Sequence, residues 1–269
     1  MILLSPALDN GARLILADSH AHLVDRKFDS DRREVVERSR AEGMSLVIDV
    51  GYDLDSSRRS VDLAGQADFI YSAVGIHPHD SGEAPKTYLD DLKKLAARDK
   101  VVAIGETGLD FYRNLSPQDV QRQVFRGQLA LARELNLPVI IHSRQAHEDL
   151  LDILRSDKVG PAGGVIHCFS GSPEMARECL GMGFYISFAG VITYKGNSKL
   201  KSIAASVPPD RILAETDSPF LTPEPYRGKR NEPLYVRYAI EEIARIREIP
   251  AADLSKTLLE NTRRLFGIK

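Results

Sequence analysis

Eight short runs of apolar and β-branched residues recur along this chain, at 14–18, 45–50, 69–74, 101–104, 138–141, 163–166, 184–188 and 212–214. Between them lie amphipathic stretches carrying helix signals. Ser116-Pro117 and Ser172-Pro173 each place an N-cap residue ahead of a proline at the first helical position. Residues 119–135 then carry apolar side chains at helical spacing, and Gly43 closes a helix that begins near Asp31. A strand followed by a helix, eight times over, predicts an α/β fold of the (β/α)8 TIM-barrel type. After the eighth run come a polar, proline-rich loop at 219–233 and two more helical stretches, about 234–247 and 253–266. No linker or low-complexity tract interrupts the pattern. The 269 residues therefore divide into a short N-terminal extension, 1–13, and a single barrel domain, 14–269.

The bulk numbers are those of an ordinary globular enzyme, 43% hydrophobic and 28% charged. A formal net charge of −2 does not advertise a polyanion binder, so a nucleic-acid substrate requires basic residues gathered locally around a site. Cys168 and Cys179 form no Cys-x-x-Cys pair, a usage that suits a reducing compartment. No apolar run reaches bilayer length, and the opening residues lack a basic segment of the signal-peptide kind. The expectation is a cytoplasmic protein with no membrane association and no obligate protein partner.

In a barrel of this type the active site forms at the C-terminal ends of the strands. His20 and His22 fall there after the first run, Glu106 after the fourth, His142 after the fifth, His167 after the sixth and Asp217 after the eighth. A single histidine at a strand end is ordinarily structural; five strand ends with ligand chemistry point to metal. His20 and His22 alternate on extended chain and so reach one ion together. Four imidazoles and two carboxylates exceed the needs of one tetrahedral site. They suit two divalent ions roughly 3.5–4 Å apart, with a bridging carboxylate. Glu106 is the natural bridge, with His20, His22 and Asp217 on one ion and His142 and His167 on the other.

The segments that carry these residues are Asp18-Ser-His-Ala-His22, Gly75-Ile-His-Pro-His79, Gly105-Glu-Thr-Gly-Leu-Asp110, Pro138-Val-Ile-Ile-His-Ser-Arg144, His167-Cys-Phe-Ser-Gly171 and Glu215-Thr-Asp-Ser-Pro219. With Arg227-Gly-Lys-Arg-Asn-Glu-Pro233 and Asn261-Thr-Arg-Arg-Leu-Phe266, they resemble the TatD-type metal-dependent deoxyribonucleases, in order, from Leu14 onward. The resemblance implies a (β/α)8 barrel, a divalent-metal requirement, and nuclease activity, often 3′→5′ on single strands. It assigns His20, His22, Glu106, His142, His167 and Asp217 to the metal site. The chain departs from the pattern in its longer N-terminal extension and in Ala189, where the family often has serine.

The reaction this implies is phosphodiester hydrolysis by metal-activated water, using two divalent ions (Mg, Mn or Zn) and single-stranded nucleic acid as substrate. Asp217 is the candidate to orient or deprotonate the attacking water, with Glu106 and Glu215 as further catalytic candidates. Glu215 either backs a ligand imidazole or pairs with a core Arg or Lys. His77 is a candidate phosphate or water contact, whereas His79 and His147 are assigned no role. Arg113, Arg144, Lys195, Arg227, Lys229 and Arg230 fall in loops on the catalytic face and are candidates to line a phosphate groove. Tyr112, Phe169 and Tyr194 are candidate base-stacking surfaces. Cys168, next to His167 on a strand, is expected to face the helix layer, buried and inert. The leading alternative is a metallohydrolase acting on an acyl or amide bond, for example in aminoacyl-tRNA or a small C–N substrate. A non-catalytic binding protein ranks third.

Overall fold

The computed structural model describes residues 13–269; the N-terminal extension assigned to 1–13 lies, apart from Arg13, outside the described residues. The chain alternates β1 (Leu16–Ala21), α1 (Arg32–Ala41), β2 (Met44–Val50), α2 (Leu54–Gln66), β3 (Ile70–Val74), α3 (Tyr88–Ala96), β4 (Val101–Asp110) and α4 (Gln118–Leu135). It continues with β5 (Val139–Arg144), α5 (His147–Asp157), β6 (Gly164–Ile166), α6 (Pro173–Gly181), β7 (Tyr185–Phe188), α7 (Ser198–Ser206) and β8 (Ile212–Ala214). Two helices, α8 (Val236–Arg247) and α9 (Ala251–Phe266), follow. The eight strands run parallel in sequence order. The ring closes where Ala21 bridges Ser218, with His22 N–H donating to the Ser218 carbonyl at 2.7 Å and Asp217 N–H to that of His20 at 2.9 Å. The chain is a single-domain (β/α)8 barrel.

Side-chain alternation along each strand separates two apolar layers. Ala17, Leu46, Ile48, Ala73, Ala103, Ile140, Val165, Tyr185 and Leu213 form one cluster to which every strand contributes. A set drawn from all eight strands is the barrel lumen, and the alanines leave room for the larger residues opposite. Leu265 and Phe266 of α9 join this cluster. The intervening positions, among them Val47, Ile70, Ile104, Ile141, Ile166 and Ile212, pack outward against the helices.

Of the two serine-proline cap assignments, one holds and the other shifts by a residue. Ser172 caps α6 as expected, its side chain accepting from Met175 N–H with Pro173 in the first turn. At α4 it is Pro117 that occupies the N-cap, with no side-chain cap. Ser116 is engaged elsewhere: its hydroxyl donates to the His79 carbonyl and accepts from Gly82 N–H, tying the β3–α3 and β4–α4 loops together. No helix among the described residues is long and apolar enough to cross a membrane.

Candidate metal centre

Strand alternation explains how most of the polar residues reach the mouth of the lumen. Counting in twos from the lumen residues Ala73, Ile140, Val165 and Leu213 arrives at His77, His142, His167, Glu215 and Asp217. β1 and β4 break this count, since Ala17 and Ala103 face the lumen and yet so do His20 and Glu106, an odd number of residues later. In both strands the ladder shifts register in between, from Asp18 to Ala21 on β1 and from Ile104 to Thr107 on β4. Such an irregularity re-aims the side chains that follow it, here His20, His22 and Glu106. Gly108 completes the arrangement: its φ is +134°, and a Cβ there would lie 2.1 Å from the His142 carbonyl oxygen. Only glycine lets β4 press this closely on β5.

The cluster divides across the two oxygens of Glu106. Its Oε2 lies 3.4 Å from His20 Nε2 and 3.3 Å from His22 Nε2. Those two nitrogens are 3.1 Å apart, and Asp217 Oδ1 sits 3.7 and 3.4 Å from them. The other oxygen, Oε1, lies 2.8 Å from His167 Nε2, 3.0 Å from His142 Nδ1 and 3.4 Å from His77 Nε2. His142 Nδ1 and His167 Nε2 are 3.3 Å apart. Imidazole nitrogens and carboxylate oxygens thus converge on two adjacent points, a donor chemistry that fits divalent cations. Three groupings have ligand atoms mutually close enough to hold an ion: His20 with His22 and Asp217, His20 with His167 and Glu215, and His77 with Glu106 and His142.

Except at His20, whose Nδ1 is buried without a hydrogen-bond partner, each inward nitrogen is set by a partner on the far side of its ring, as orienting contacts behind metal-binding histidines generally do. His22 Nδ1 donates to the Val50 carbonyl at 2.7 Å. His167 Nδ1 lies 3.2 Å from Glu215 Oε1, which also accepts from Cys168 N–H at 2.8 Å. Of the two fates open to Glu215 in the sequence, pairing with a ligand-type imidazole is therefore the observed one. His142 turns Nε2 toward Asp110 Oδ2 at 3.1 Å, and His79 Nε2 reaches the same oxygen at 2.9 Å. Sequence reasoning passed over Asp110 and set His79 aside; the signal available was a carboxylate at the end of Gly105-Glu-Thr-Gly-Leu-Asp110. Asp18 is another omission: buried, it accepts from Thr216 N–H and hydroxyl at 2.8 and 2.5 Å and so binds β1 to the residue before Asp217. His147 bonds the Ser143 hydroxyl, away from the cluster.

Electrostatics follow from packing acids and imidazoles together. Burial opposes ionisation of Glu106, but His167, His77 and His142 around it hold the carboxyl well below the usual range. Burial likewise opposes charge on His22 and His167, and the surrounding carboxylates reverse this and raise both well above an ordinary histidine. His142 is raised in the same way by Asp110 and Glu106. His20 is lowered by burial and by His167, and burial brings His77 down to about 4. Asp217 is lowered despite burial, through His22 and His20.

Cys168 departs from expectation. The alternation that carries through His167 breaks one residue later, where Cys168 takes a left-handed φ of 42° just past the end of β6. It is half-buried rather than enclosed in the helix layer. Burial first, then the charges of Asp217, Glu215 and Glu106, push its thiol well above the normal range, which keeps it neutral.

The rim residues fall into three groups. Arg113 and Lys195 are exposed on their loops. Arg144, Arg227 and Lys229 each lie over an aromatic ring, Tyr112 at 4.0 Å, Tyr194 at 4.4 Å and Tyr226 at 5.4 Å. Arg230 is committed to the scaffold: it donates to the Lys27 carbonyl, to both Asp31 oxygens and to Glu232, and covers the Phe28 ring. Of the candidate stacking rings, Phe169 is fully buried and serves the core, and Tyr194 donates its hydroxyl to the Thr222 carbonyl. Tyr112 is 55% exposed.

A barrel with imidazoles and carboxylates converging at its C-terminal mouth is the make-up of a metal-dependent hydrolase. The family model described as "TatD related DNase" matches residues 17–267. A Bacillus subtilis protein described as an uncharacterized metal-dependent hydrolase, YabD, is 47% identical over 94% of this chain and 100% of its own length. The "3'-5' ssDNA/RNA exonuclease TatD" of Pantoea vagans is 37% identical, covering 93% of this chain and 99% of that protein. Among solved structures, the Escherichia coli K12 TatD homologue YjjV superposes with a TM-score of 0.88 at 31% identity, over 94% of this chain and 98% of that one. The chain belongs to the TatD-related DNase family of metal-dependent hydrolases.

Proposed function

We propose that the protein is a divalent-metal-dependent 3′→5′ exonuclease acting on single-stranded DNA or RNA. The observation that carries this reading is the division of the cluster between the two oxygens of Glu106, the arrangement a two-ion phosphodiester hydrolase needs. The relatives named as ssDNA/RNA exonucleases support the substrate class and polarity. His20, His22 and Asp217 would hold one cation and His142 and His167 a second, with one carboxylate oxygen of Glu106 facing each set. Bound there, divalent cations supply Lewis-acid activation of water and of the phosphoryl group.

The chain's own groups account for the rest. Asp217 keeps 15% of its side chain exposed and stays ionised at neutral pH, so it accepts the proton of the attacking water. His77 is neutral, and its Nδ1 accepts from His79 N–H, which leaves the ring proton on Nε2 to donate toward the cluster. Glu215 and Asp110 orient His167 and His142. Arg113, Arg144, Lys195, Arg227 and Lys229 supply the positive potential for a phosphate backbone that the net charge lacks. Arg230 drops out of this set.

The test is degradation of 3′-labelled and 5′-labelled single-stranded DNA with Mg²⁺, Mn²⁺ or Zn²⁺, with EDTA, and by an Asp217→Asn variant. Stepwise, metal-dependent loss from the 3′ end, abolished by EDTA and by the substitution, is the expected result. No cleavage of DNA or RNA by metal-loaded protein contradicts the proposal and directs the search to acyl or amide bonds.

A further inference from the structure

Three large hydrophobic side chains are strongly exposed among the described residues: Tyr112 at 55%, Leu115 at 65% and Phe220 at 40%. All three belong to loops at the catalytic mouth. Tyr112 and Leu115 follow β4, and Phe220 follows β8. In an eight-strand ring of sequential order, β4 and β8 stand on opposite sides. The two exposed aromatic rings therefore stand on opposite sides of the metal cluster. The Phe220 ring centroid is 6.2 Å from that of His22, edge to face, so this ring adjoins the cluster itself.

Both rings carry a cation at the face, Lys27 Nζ 4.3 Å from the centre of Phe220 and the Arg144 guanidinium 4.0 Å from that of Tyr112. Both are also anchored to the site. Phe220 N–H donates to the Asp217 carbonyl at 2.9 Å, and the Phe220 carbonyl accepts from the Asn231 amide at 2.6 Å. Tyr112 N–H donates to Asp110 Oδ1 at 3.0 Å. An exposed aromatic ring, its backbone hydrogen-bonded to the site and an exposed cation beside it, is the arrangement that binds unpaired bases: the ring takes the base and the cation its phosphate. A base inside a duplex is stacked on both faces and has none to offer such a ring.

We propose that Phe220 and Tyr112 are paired stacking platforms, each taking one of the two nucleobases that flank the scissile phosphate. The strand then crosses the mouth from the β8 side to the β4 side, with its phosphate over the cluster and Lys27 and Arg144 at either hand. This rests on the nucleic-acid reading above and sharpens it: the substrate must present at least two unpaired, base-bearing nucleotides at the point of cleavage.

The test uses a fluorescent oligothymidylate and two versions of it in which either the terminal or the penultimate base is replaced by a tetrahydrofuran abasic residue. Binding is read by anisotropy in EDTA, and KM and kcat by cleavage in Mn²⁺, for the parent protein, Phe220→Ala and Tyr112→Ala. Each alanine variant is expected to weaken binding of the full strand, and to raise KM, about tenfold, with a smaller change in kcat. On one of the two abasic strands each penalty disappears, a different strand for each variant. Phe220→Tyr and Tyr112→Phe, which keep the ring, are expected to bind as the parent does. Parent-like binding by both alanine variants, or a penalty that persists on both abasic strands, overturns the platforms while leaving the nuclease intact. Absence of binding and cleavage by the parent overturns both readings together.

Discussion

His22 and Lys27 are five residues apart at the end of β1, yet they live under different rules. The His22 ring is buried, its Nδ1 fixed on the Val50 carbonyl and its Nε2 facing Glu106 and Asp217. Lys27 projects into solvent over Phe220, with no ion-pair partner among the described residues. The same contrast runs around the whole mouth. Glu106, His142, His167 and Asp217 are placed by strands and by contacts from behind, whereas Arg227 and Lys229 on a loop, and Arg144 at the last position of β5 rather than in the loop expected of it, lie exposed over aromatic rings. Burial makes the inner charges interact strongly and fixes their geometry; exposure leaves the outer cations free to follow a flexible polyanion. One region is built for position and the other for reach.

The sharpest way to break this contrast is to remove the group on which the inner region turns. Glu106→Gln keeps the size of the side chain and removes its charge. It is expected to lower kcat by about a thousandfold or more, the scale of several kcal/mol of lost metal stabilisation. Steady-state cleavage of single-stranded DNA checks it, and retention of a tenth of the parent rate contradicts it.

The next effect concerns the contacts behind the ligands. Asp110→Asn leaves a partner for His142 and His79 without the negative charge, and is expected to weaken metal binding about 10–100-fold. Dissociation constants for Mn²⁺ or Zn²⁺ measure this directly, and Glu215→Gln is expected to behave alike through His167.

A third test uses pH. Carboxylates raise His22 and His167 well above an ordinary histidine despite burial, and raise His142 as well, so in metal-free protein these rings favour protons that a cation must displace. Metal binding at pH 7 is expected to release protons, and metal affinity to fall as pH drops. Calorimetric titrations in two buffers of different ionisation enthalpy read the release; identical heats in both contradict it.

The smallest effects separate cations within the rim. Arg227→Ala is expected to weaken strand binding a few-fold and to reduce the slope of log Kd against log salt by about 0.7. Arg230→Ala, which removes the clamp on Asp31 and Glu232, is expected to leave that slope unchanged and to cost about 1 kcal/mol of stability. Equal slopes for both variants erase the distinction between the free rim and the scaffold.

The same contrast separates what is legible in the sequence from what is not. Strand runs are local patterns, so the eight-fold repeat and the barrel were legible, and so was the position of polar residues at strand ends. His142, His167 and Asp217 follow their strands in simple alternation. His20 and Glu106 do not, and the register shifts that turn them inward leave no mark in composition. Contacts made across the barrel were hidden as well. Asp110 is a strand-end carboxylate like any other until His142 and His79 are seen on either side of it. Phe220 reads as one more apolar residue after a proline, and Arg230 as one more basic residue in a cationic run. Only tertiary packing exposes the first and ties down the second.

The central claim is that Glu106 bridges two cations, and the most direct measurement is a crystal structure of the protein grown in Mn²⁺, with anomalous data at the manganese edge. The account predicts two peaks flanking the Glu106 carboxylate, one against His20, His22 and Asp217 and the other against His142 and His167. A single peak, or two that Glu106 does not touch, would contradict it.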